Sequence, residues 1–568
     1  MADEQAPPPP PHRPRTFTPA ELGFTPAKPV AWLSPVQLAG TGLRVALAGI
    51  QGSYLDKREL QASFPDQVHR EVGPDGDTWL DFVADLGDGF DATYSVAYLA
   101  AQETLSVGDH ELPRGQALVL GGDEVYPTPS PERYQDRLIG PYRAAMPVPP
   151  PGGDGAGPTM YALPGNHDWY DGLTAFLRIF TGSRRSGIGG WKLPQGRSYF
   201  AVELPGNWWL LAVDDEASSY IDDPQIAYFT RVAATFTPET KVIIASASPT
   251  WVQAADKPTV YASLDYFIRT VLDPTGARIP LMVSGDWHHY ARYSRADREL
   301  ITCGGGGAYL YPTHQLPEEI EVPPPALPSA STRRGYDLRS RFPGKRLSQA
   351  YAASIFARLP KHNPSFIGMV GAVHTALLLA ASGVIHSGFG SPLQKFALVP
   401  LFILAAAVMA GTYGFAHLSE SVLGRTTRRV IGLLHGVAHL ALAALGTWAW
   451  WELPLHAWRW PWSLVATLVV YGIVSGFAAT ELVAVYLLLA ARFGVNLNEL
   501  FSAQGIIDSK SFLRLHFAAD GTLTIYALGV RRSARRWQTA SHGEAHHPWL
   551  NPVGRLKAHL IEEPIVLK

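Results

Sequence analysis

The sequence predicts an α/β domain with a largely buried sheet, followed by an all-α membrane bundle and a small β-rich C-terminal region. Between residues 41 and 315, short apolar runs alternate with loops and helical stretches, and this order predicts an α/β fold. Further along the chain, four apolar runs are near or above the ~20 residues that a helix needs to cross hydrocarbon. Only 17% of the residues are charged and mean hydropathy is +0.01, values that membrane segments explain.

Composition limits the classes of function. A chain of 568 residues is long enough for more than one domain. The net charge of −2 gives no general attraction to nucleic acid or to anionic lipid. Cys303 is the only cysteine, which excludes an intramolecular disulfide framework and a cysteine-rich metal site.

Residues 1–40 are predicted to form a disordered, proline-rich N-terminal tail. Five consecutive prolines, Pro7 to Pro11, favour a polyproline-type conformation. The segment has neither a basic n-region nor an apolar h-region, so a secretory signal is not expected.

Residues 41–315 form the predicted α/β domain. A helix is expected over Tyr94–Glu103, capped by Thr93. The predicted strands are Leu43–Ala48, Trp79–Ala84, Gln116–Leu120, Met160–Leu163, Trp208–Val213, Lys241–Ala245 and Pro280–Val283.

Four of these strands end in residues that can bind a metal. Their loops carry Asp85, Asp123, the run Asn166-His167-Asp168, and Asp286 with His288. In an open α/β sheet such loops gather in the crevice beyond the carboxyl ends of the strands. The order of the four loops therefore predicts one site rather than four unrelated turns.

This ordered set of motifs resembles the calcineurin-like metallophosphoesterase superfamily, and within it the purple-acid-phosphatase pattern. Three blocks match in full: Asp85-Leu86-Gly87, Gly122-Asp123-Glu124-Val125-Tyr126 and Gly165-Asn166-His167-Asp168. Two blocks depart from the pattern, because Ala247 stands where a histidine is usual and Asp286 replaces the first histidine of Gly285-Asp286-Trp287-His288.

The resemblance implies a sandwich of two mixed β-sheets flanked by helices, with two divalent metal ions (Mn, Fe, Mg or Zn) at one edge. Asp85, Asp123 and His288 would hold the first ion, with Asp88 as an alternative to Asp85 and Tyr126 as a phenolate ligand if the metal is ferric iron. Asp123 would bridge to a second ion, and the further ligands of that ion would be Asn166 and Asp286.

The resemblance further implies hydrolysis of a phosphate mono- or diester by metal-activated hydroxide. His167 would protonate the leaving group, and Asp168 would orient the His167 ring. Ala247 cannot supply the usual nitrogen ligand, so three outcomes are open for the second metal ion. It binds weakly, it is supplied partly by the substrate, or it is absent. The same departures favour the alternative function, a catalytically degenerate fold that acts as a membrane-bound sensor or scaffold.

Residues 316–362 form a proline-rich and basic linker, and residues 363–492 contain four predicted transmembrane helices. The predicted spans are Ile367–Ile385, Phe396–Ala416, Val430–Trp450 and Trp462–Ala490. Lysine and arginine are concentrated on the side that carries both termini. The positive-inside rule therefore places the termini and the phosphoesterase domain in the cytoplasm, on an inner or plasma membrane.

Three histidines fall within the predicted spans: His374, His435 and His439. Intramembrane ionisable residues are functional candidates, so a haem, metal or proton site is one interpretation. Hydrogen bonding between helices is the other.

Residues 493–568 are predicted to be a soluble β-hairpin region that docks on the catalytic domain. Phe512–Phe517 and Thr522–Val530 form the hairpin, and Asp520-Gly521 supplies its turn. Docking is expected because an isolated hairpin is marginally stable in water.

Overall fold

The computed structural model describes residues 13–40, 58–73, 75–151, 157–182, 187–216, 220–387, 390, 392–417 and 425–568. The predicted strand Leu43–Ala48 lies outside these residues. The chain divides into two compact units, of which the first contains Met1–Val30, Ala46–Lys345 and Ile507–Lys568. The second unit contains Ala31–Val45 and Arg346–Ile506.

The first unit is mixed α/β and contains two nine-stranded sheets. The strands of the structure are β1 Val68–Arg70, β2 Thr78–Val83, β3 Thr104–Val107, β4 His110–Pro113, β5 Ala117–Leu120, β6 Thr159–Ala162, β7 Gly187–Ile188, β8 Trp191–Lys192, β9 Phe200–Leu204, β10 Trp208–Val213, β11 Lys241–Ser246, β12 Arg278–Ser284, β13 Tyr290–Arg295, β14 Arg298–Cys303, β15 Glu319–Val322, β16 Arg334–Phe342, β17 Lys510–Phe517, β18 Leu523–Val530, β19 Trp537–Thr539, β20 Leu550–Pro552, β21 His559–Leu560 and β22 Ile565–Leu567.

The α-helices are short in the first unit and long in the second. They are α1 Pro19–Leu22, α2 Arg58–Gln61, α3 Phe90–Ala100, α4 Pro131–Tyr134, α5 Gly140–Ala145, α6 Thr174–Phe180, α7 Asp223–Ala233, α8 Thr250–Gln253, α9 Ala262–Phe267, α10 Lys345–Ala353, α11 Ile355–His362, α12 Pro364–His386, α13 Pro392–His417, α14 Arg425–Glu452, α15 Trp462–Ala466, α16 Gly472–Ala491 and α17 Leu497–Ser502.

Each sheet contains a central run of four parallel strands with an antiparallel pairing on at least one side. The first has the order β1-β9-β10-β11-β12-β14-β13-β16-β15, in which β10, β11, β12 and β14 run parallel. The second has the order β21-β18-β17-β2-β5-β6-β8-β7, in which β2, β5, β6 and β8 run parallel, and β22 pairs with β18. One apolar cluster draws side chains from both sheets, including Phe82 and Val119 from the second and Leu210 and Ile243 from the first.

Two local predictions differ from the structure. The helix α3 begins at Phe90, with Gly89 as its N-cap, so the expected cap residue Thr93 lies buried inside the helix. Residues 13–40 do not form a free tail, because Leu22 and Phe24 are buried in an apolar cluster with Phe90. The free energy gained by burying these apolar side chains outweighs the tendency of the proline-rich segment toward disorder.

The C-terminal hairpin is part of the second sheet. Strand β17 pairs antiparallel with β18 and with β2, so the hairpin extends the sheet beside the strand that leads to Asp85. Inside this pairing, Arg514 forms a buried ion pair with Asp81 at 2.7 Å.

The second unit contains four helices that are long and apolar enough to cross a bilayer. They are α12, α13, α14 and the composite helix Trp462–Ala491, in which a π-helical turn, Thr467–Tyr471, joins α15 to α16. Each predicted span lies within one of these helices, so the prediction of four membrane-crossing segments is confirmed by length and composition.

Candidate metal centre

Three aspartates occupy the loops that follow central strands. Asp85 follows β2, Asp123 follows β5 and Asp286 follows β12, and their φ angles are 57°, 53° and 63°. This left-handed region is uncommon for residues other than glycine, although aspartate is among those that tolerate it. The loops are tied together, since the Asp286 amide donates to Asp85 Oδ1 at 3.0 Å.

The structure brings four of the predicted metal ligands into one buried group. Oxygen or nitrogen atoms of Asp85, Asp123 and His288 all lie within 4.8 Å of one another. The Tyr126 hydroxyl is at the centre of the group, 2.9 Å from Asp123 Oδ2, 2.9 Å from His288 Nε2 and 3.4 Å from Asp85 Oδ1.

The electrostatics of this group favour a cation. Burial, reinforced by Asp123 and Asp286, raises the pKa of Asp85 well above its usual value. Burial and the charge of Asp168 raise the pKa of Asp123 to about 7. Among the described residues, Asp85 Oδ2 is buried without a hydrogen-bond partner. A bound metal ion would offset the repulsion between the carboxylates and would give Asp85 Oδ2 a partner. The set of donor atoms therefore fits a metal.

Two glycines make room for these carboxylates. A Cβ atom on Gly165 would lie 2.2 Å from Asp123 Oδ1, and one on Gly304 would lie 1.9 Å from Asp85 Oδ2. The missing side chain at Gly165 thus lets the Asp123 carboxylate lie close to the backbone. Gly304 belongs to the glycine-rich loop after β14 and has the same function for Asp85.

His167 lies beside this group, and its ring is oriented differently from the prediction. His167 Nδ1 is 2.8 Å from the Pro127 carbonyl oxygen, which can only accept, so Nδ1 carries the proton and Nε2 has the lone pair. The Asp168 carboxylate accepts instead from the amides of Gly165 and Glu124 and from the Tyr134 hydroxyl. The expected orienting role of Asp168 is therefore corrected, because its hydrogen bonds secure the loop that carries His167.

The ligands expected for a second metal are less closely grouped. Asn166 is exposed, and Asp286 Oδ2 accepts a hydrogen bond from Gln253 Nε2 at 2.8 Å. Ala247 faces the same loops, since a Cβ atom on Gly122 would lie 2.9 Å from the Ala247 methyl group. The alanine thus stands at the position from which a histidine would reach the site.

Sequence reasoning did not identify Glu216. This residue follows β10, and its Oε1 accepts a hydrogen bond from Ser248 Oγ at 2.5 Å, next to Ala247. Burial raises the pKa of Glu216, and the charges of Asp215 and Asp286 raise it further. The acidic run Asp214-Asp215-Glu216 after an apolar strand was a signal in the sequence that could have indicated it.

Sequence reasoning also did not identify Lys510, which enters the site region from strand β17. Its Nζ donates to the Ala308 carbonyl at 2.5 Å, and burial lowers the pKa of this side chain to about 8. The charges of Asp88 and Asp85 act on Lys510 in the opposite direction. No local pattern predicts this contact, because Lys510 is more than 400 positions from Asp85 in the sequence.

Comparison with known proteins gives only remote similarity. No family model and no curated protein matched the sequence. One similar solved structure is GAP50, described as the anchor in the inner membrane complex of Plasmodium, with 11% identity and a TM-score of 0.31 over 49% of this chain and 94% of that chain. Another is PhoD, with 11% identity and a TM-score of 0.26 over 41% of this chain and 58% of that chain. Similarity at this level says nothing about activity.

Proposed function

We propose that this chain is a membrane-anchored, metal-dependent phosphoesterase that hydrolyses a phosphate mono- or diester. The observation that supports it most is the convergence of Asp85, Asp123, Tyr126 and His288 in one buried group. These residues come from three separate strand ends, and they are the positions at which the sequence resembles calcineurin-like metallophosphoesterases.

Asp85, Asp123 and His288 would hold a first metal ion. When bound, such ions neutralise phosphoryl charge and activate water for attack at neutral pH. Burial raises the pKa of Tyr126 well above its usual value, and its hydroxyl donates a hydrogen bond to Asp123 at 2.9 Å.

A second ion would lie beside Asp123, with Asn166 and Asp286 as ligands. Glu216 is the carboxylate best placed to compensate for the missing histidine at position 247, because Ser248 fixes it next to Ala247. Such an oxygen-rich set suits Mn²⁺ or Mg²⁺ better than Zn²⁺.

His167 would transfer the proton to the leaving group. With Nδ1 donating to Pro127, Nε2 is the nitrogen that would give the proton to the leaving group. Burial lowers the pKa of His167, whereas the negative charge of a bound phosphate would raise it. The ring therefore takes up its proton as substrate binds and donates it through Nε2 to the departing oxygen.

The chain would be inserted with both termini and the phosphoesterase domain in the cytoplasm. This orientation rests on the arginine and lysine residues that precede α12, on the arginines at the start of α14, on Arg492 and on the positive-inside rule.

The activity is tested by hydrolysis of p-nitrophenyl phosphate and bis-p-nitrophenyl phosphate with Mn²⁺, using the full chain in detergent. Asp123→Asn is expected to abolish metal-dependent turnover, because Asp123 would bind both metal ions. His167→Ala is expected to lower kcat by about 10²–10⁴-fold, the usual contribution of a general acid.

The matched controls are Asp109→Asn and His542→Ala, which change exposed residues of the same types and should leave turnover unchanged. Absence of turnover with any divalent metal would reject the enzyme and favour the sensor or scaffold that Ala247 and Asp286 suggest. Turnover that is indifferent to both site substitutions would reject this site as its source.

A further inference from the structure

Three histidines form a hydrogen-bonded chain inside the four-helix unit. His374 Nε2 on α12 lies 3.1 Å from His439 Nδ1 on α14, and His439 Nε2 lies 3.1 Å from His435 Nε2. His374, His435 and His439 are 2%, 6% and 6% exposed. The two interpretations left open by the sequence, a functional site and bonding between helices, therefore concern one connected structure.

The chain has two ends that are complementary in hydrogen bonding. A neutral imidazole has one N–H group and one acceptor nitrogen. Two hydrogen bonds among three neutral rings consequently leave one N–H and one lone pair, at His374 Nδ1 and His435 Nδ1. Both of these terminal atoms are buried without a hydrogen-bond partner among the described residues.

The geometry favours proton transfer over metal binding. A single metal ion binds one nitrogen of each imidazole at about 2.0–2.1 Å. His439, however, presents Nδ1 to His374 and Nε2 to His435, so one ion cannot reach all three rings without turning His439. A proton can pass along both contacts as they stand.

A cavity of about 170 Å³ continues from the His374 end. It is lined by His374 and follows α14 from Leu442 to Trp450, a distance of about 12 Å at the helical rise. Its lining is almost entirely apolar, and besides His374 the polar side chains that contribute to it are those of Tyr471 and Ser475. This space leads toward the end of α14 that carries Trp450.

At the His435 end, ring stacking rather than a hydrogen bond joins the chain to a polar pair that lies toward the opposite membrane face. The His435 ring stacks on Tyr486, with centroids 3.8 Å apart and planes at 5°. The Tyr486 hydroxyl donates to Asn496 Oδ1 at 2.6 Å, just beyond the end of α16.

Apart from His386 and the charged residues near the helix ends, the other titratable residues of the described helices are few. Tyr471, Glu481 and Tyr486 lie on the fourth helix, and Tyr413 and His417 lie near the end of α13. Among the described residues, the hydrogen-bonded chain itself contains only the three imidazoles. In the sequence, Glu481 lies between Ala478, which lines the cavity, and Tyr486.

We propose that His374, His439 and His435 form a proton relay between the two faces of the membrane unit. A proton that binds His374 Nδ1 releases the Nε2 proton of that ring to His439 Nδ1. His439 then passes its own Nε2 proton to His435 Nε2, and the Nδ1 proton of His435 leaves. One proton enters, one leaves and no electron moves. The rings end in the opposite tautomers and must return before a second proton follows in the same direction.

The relay is tested with the full chain in liposomes that contain a trapped pH-sensitive dye. A potassium gradient with valinomycin imposes a membrane potential, and the initial rate of internal acidification is measured. The wild-type chain should acidify the vesicles faster than protein-free vesicles, and His439→Phe should lower the rate to the protein-free value. The matched control is His386→Phe, at the exposed end of α12, which should retain the wild-type rate.

His374→Gln gives a second test should His439→Phe fail to fold, because glutamine can hydrogen-bond but cannot take up and release the proton. Imidazole ¹⁵N spectra should also report N–H···N hydrogen bonds in the wild type that His439→Phe removes. Equal rates in the wild type and in a folded relay variant, or a wild-type rate no higher than that of protein-free vesicles, would overturn the proposal. Stoichiometric Zn²⁺ or Cu²⁺ binding that depends on His439, without proton flux, would replace the relay by a metal site.

Discussion

Single residues at the candidate metal centre are held in conformations that cost free energy. Asp85, Asp123 and Asp286 have positive φ angles, and sparsely populated backbone conformations of this kind cost roughly 1–3 kcal/mol each. They persist because neighbouring loops fix them, as when the Asp286 amide donates to Asp85. The observed strain points to a functional constraint on where these three carboxylates lie.

The space that Gly304 leaves for Asp85 gives a prediction at this scale. Gly304→Ala should weaken Mn²⁺ binding by about 10–100-fold, the usual effect of disturbing residues around metal ligands. The reason is that the new Cβ atom would lie 1.9 Å from Asp85 Oδ2 and must displace that carboxylate. Isothermal titration with Mn²⁺ measures the change. Gly335→Ala is the control, because no atom lies within 4 Å of the added methyl group, and equal affinities in both variants would refute this account.

At the scale of elements, strand β17 determines how the C-terminal region joins the second sheet. Arg514 pairs with Asp81 of β2 and also donates to the carbonyls of Leu112 and Ala100. Both charged side chains are buried, so removing one partner leaves an uncompensated charge. The hairpin is therefore held on β2 by a buried network of hydrogen bonds, and removing one charged member of that network is expected to be strongly destabilising.

Arg514→Met should lower the free energy of unfolding by about 3–5 kcal/mol, the usual cost of breaking a buried ion pair. Urea unfolding of the full chain in detergent, followed by tryptophan fluorescence, measures this change. The exposed Arg532→Met should remain within about 0.5 kcal/mol of the wild type. The double variant Asp81→Leu/Arg514→Met should recover part of the loss, and a loss equal to that of Arg514→Met would argue against charge burial as the cause.

At the scale of the whole molecule, the four apolar helices make the chain a membrane protein whose orientation can be measured. The proposed orientation puts the loop at Trp460 outside the cell and the end of the fourth helix at Phe493 inside. Both residues are exposed, whereas the single native cysteine, Cys303, is fully buried. In a Cys303→Ser background, a membrane-impermeant maleimide added to intact cells should label Trp460→Cys. Phe493→Cys should react only after permeabilisation. The reverse pattern would place the α/β domain outside.

The sequence by itself determined the elements and the order of the loops in this protein. Short continuous apolar runs followed by an aspartate specified β2, β5 and β12, because strand burial and the polar residues after the strand are local properties. Length and composition specified the four membrane-crossing helices to within a few residues, since a bilayer requires ~20 apolar residues and little else.

The tertiary structure alone decided which atoms face one another. Three findings depend on contacts between distant segments. His167 bonds to Pro127 rather than to Asp168, Gly304 makes room for Asp85, and three histidines of the apolar helices form one chain. Hydrogen bonds are directional and short in range, so their partners follow from the packing of whole elements and not from residue spacing.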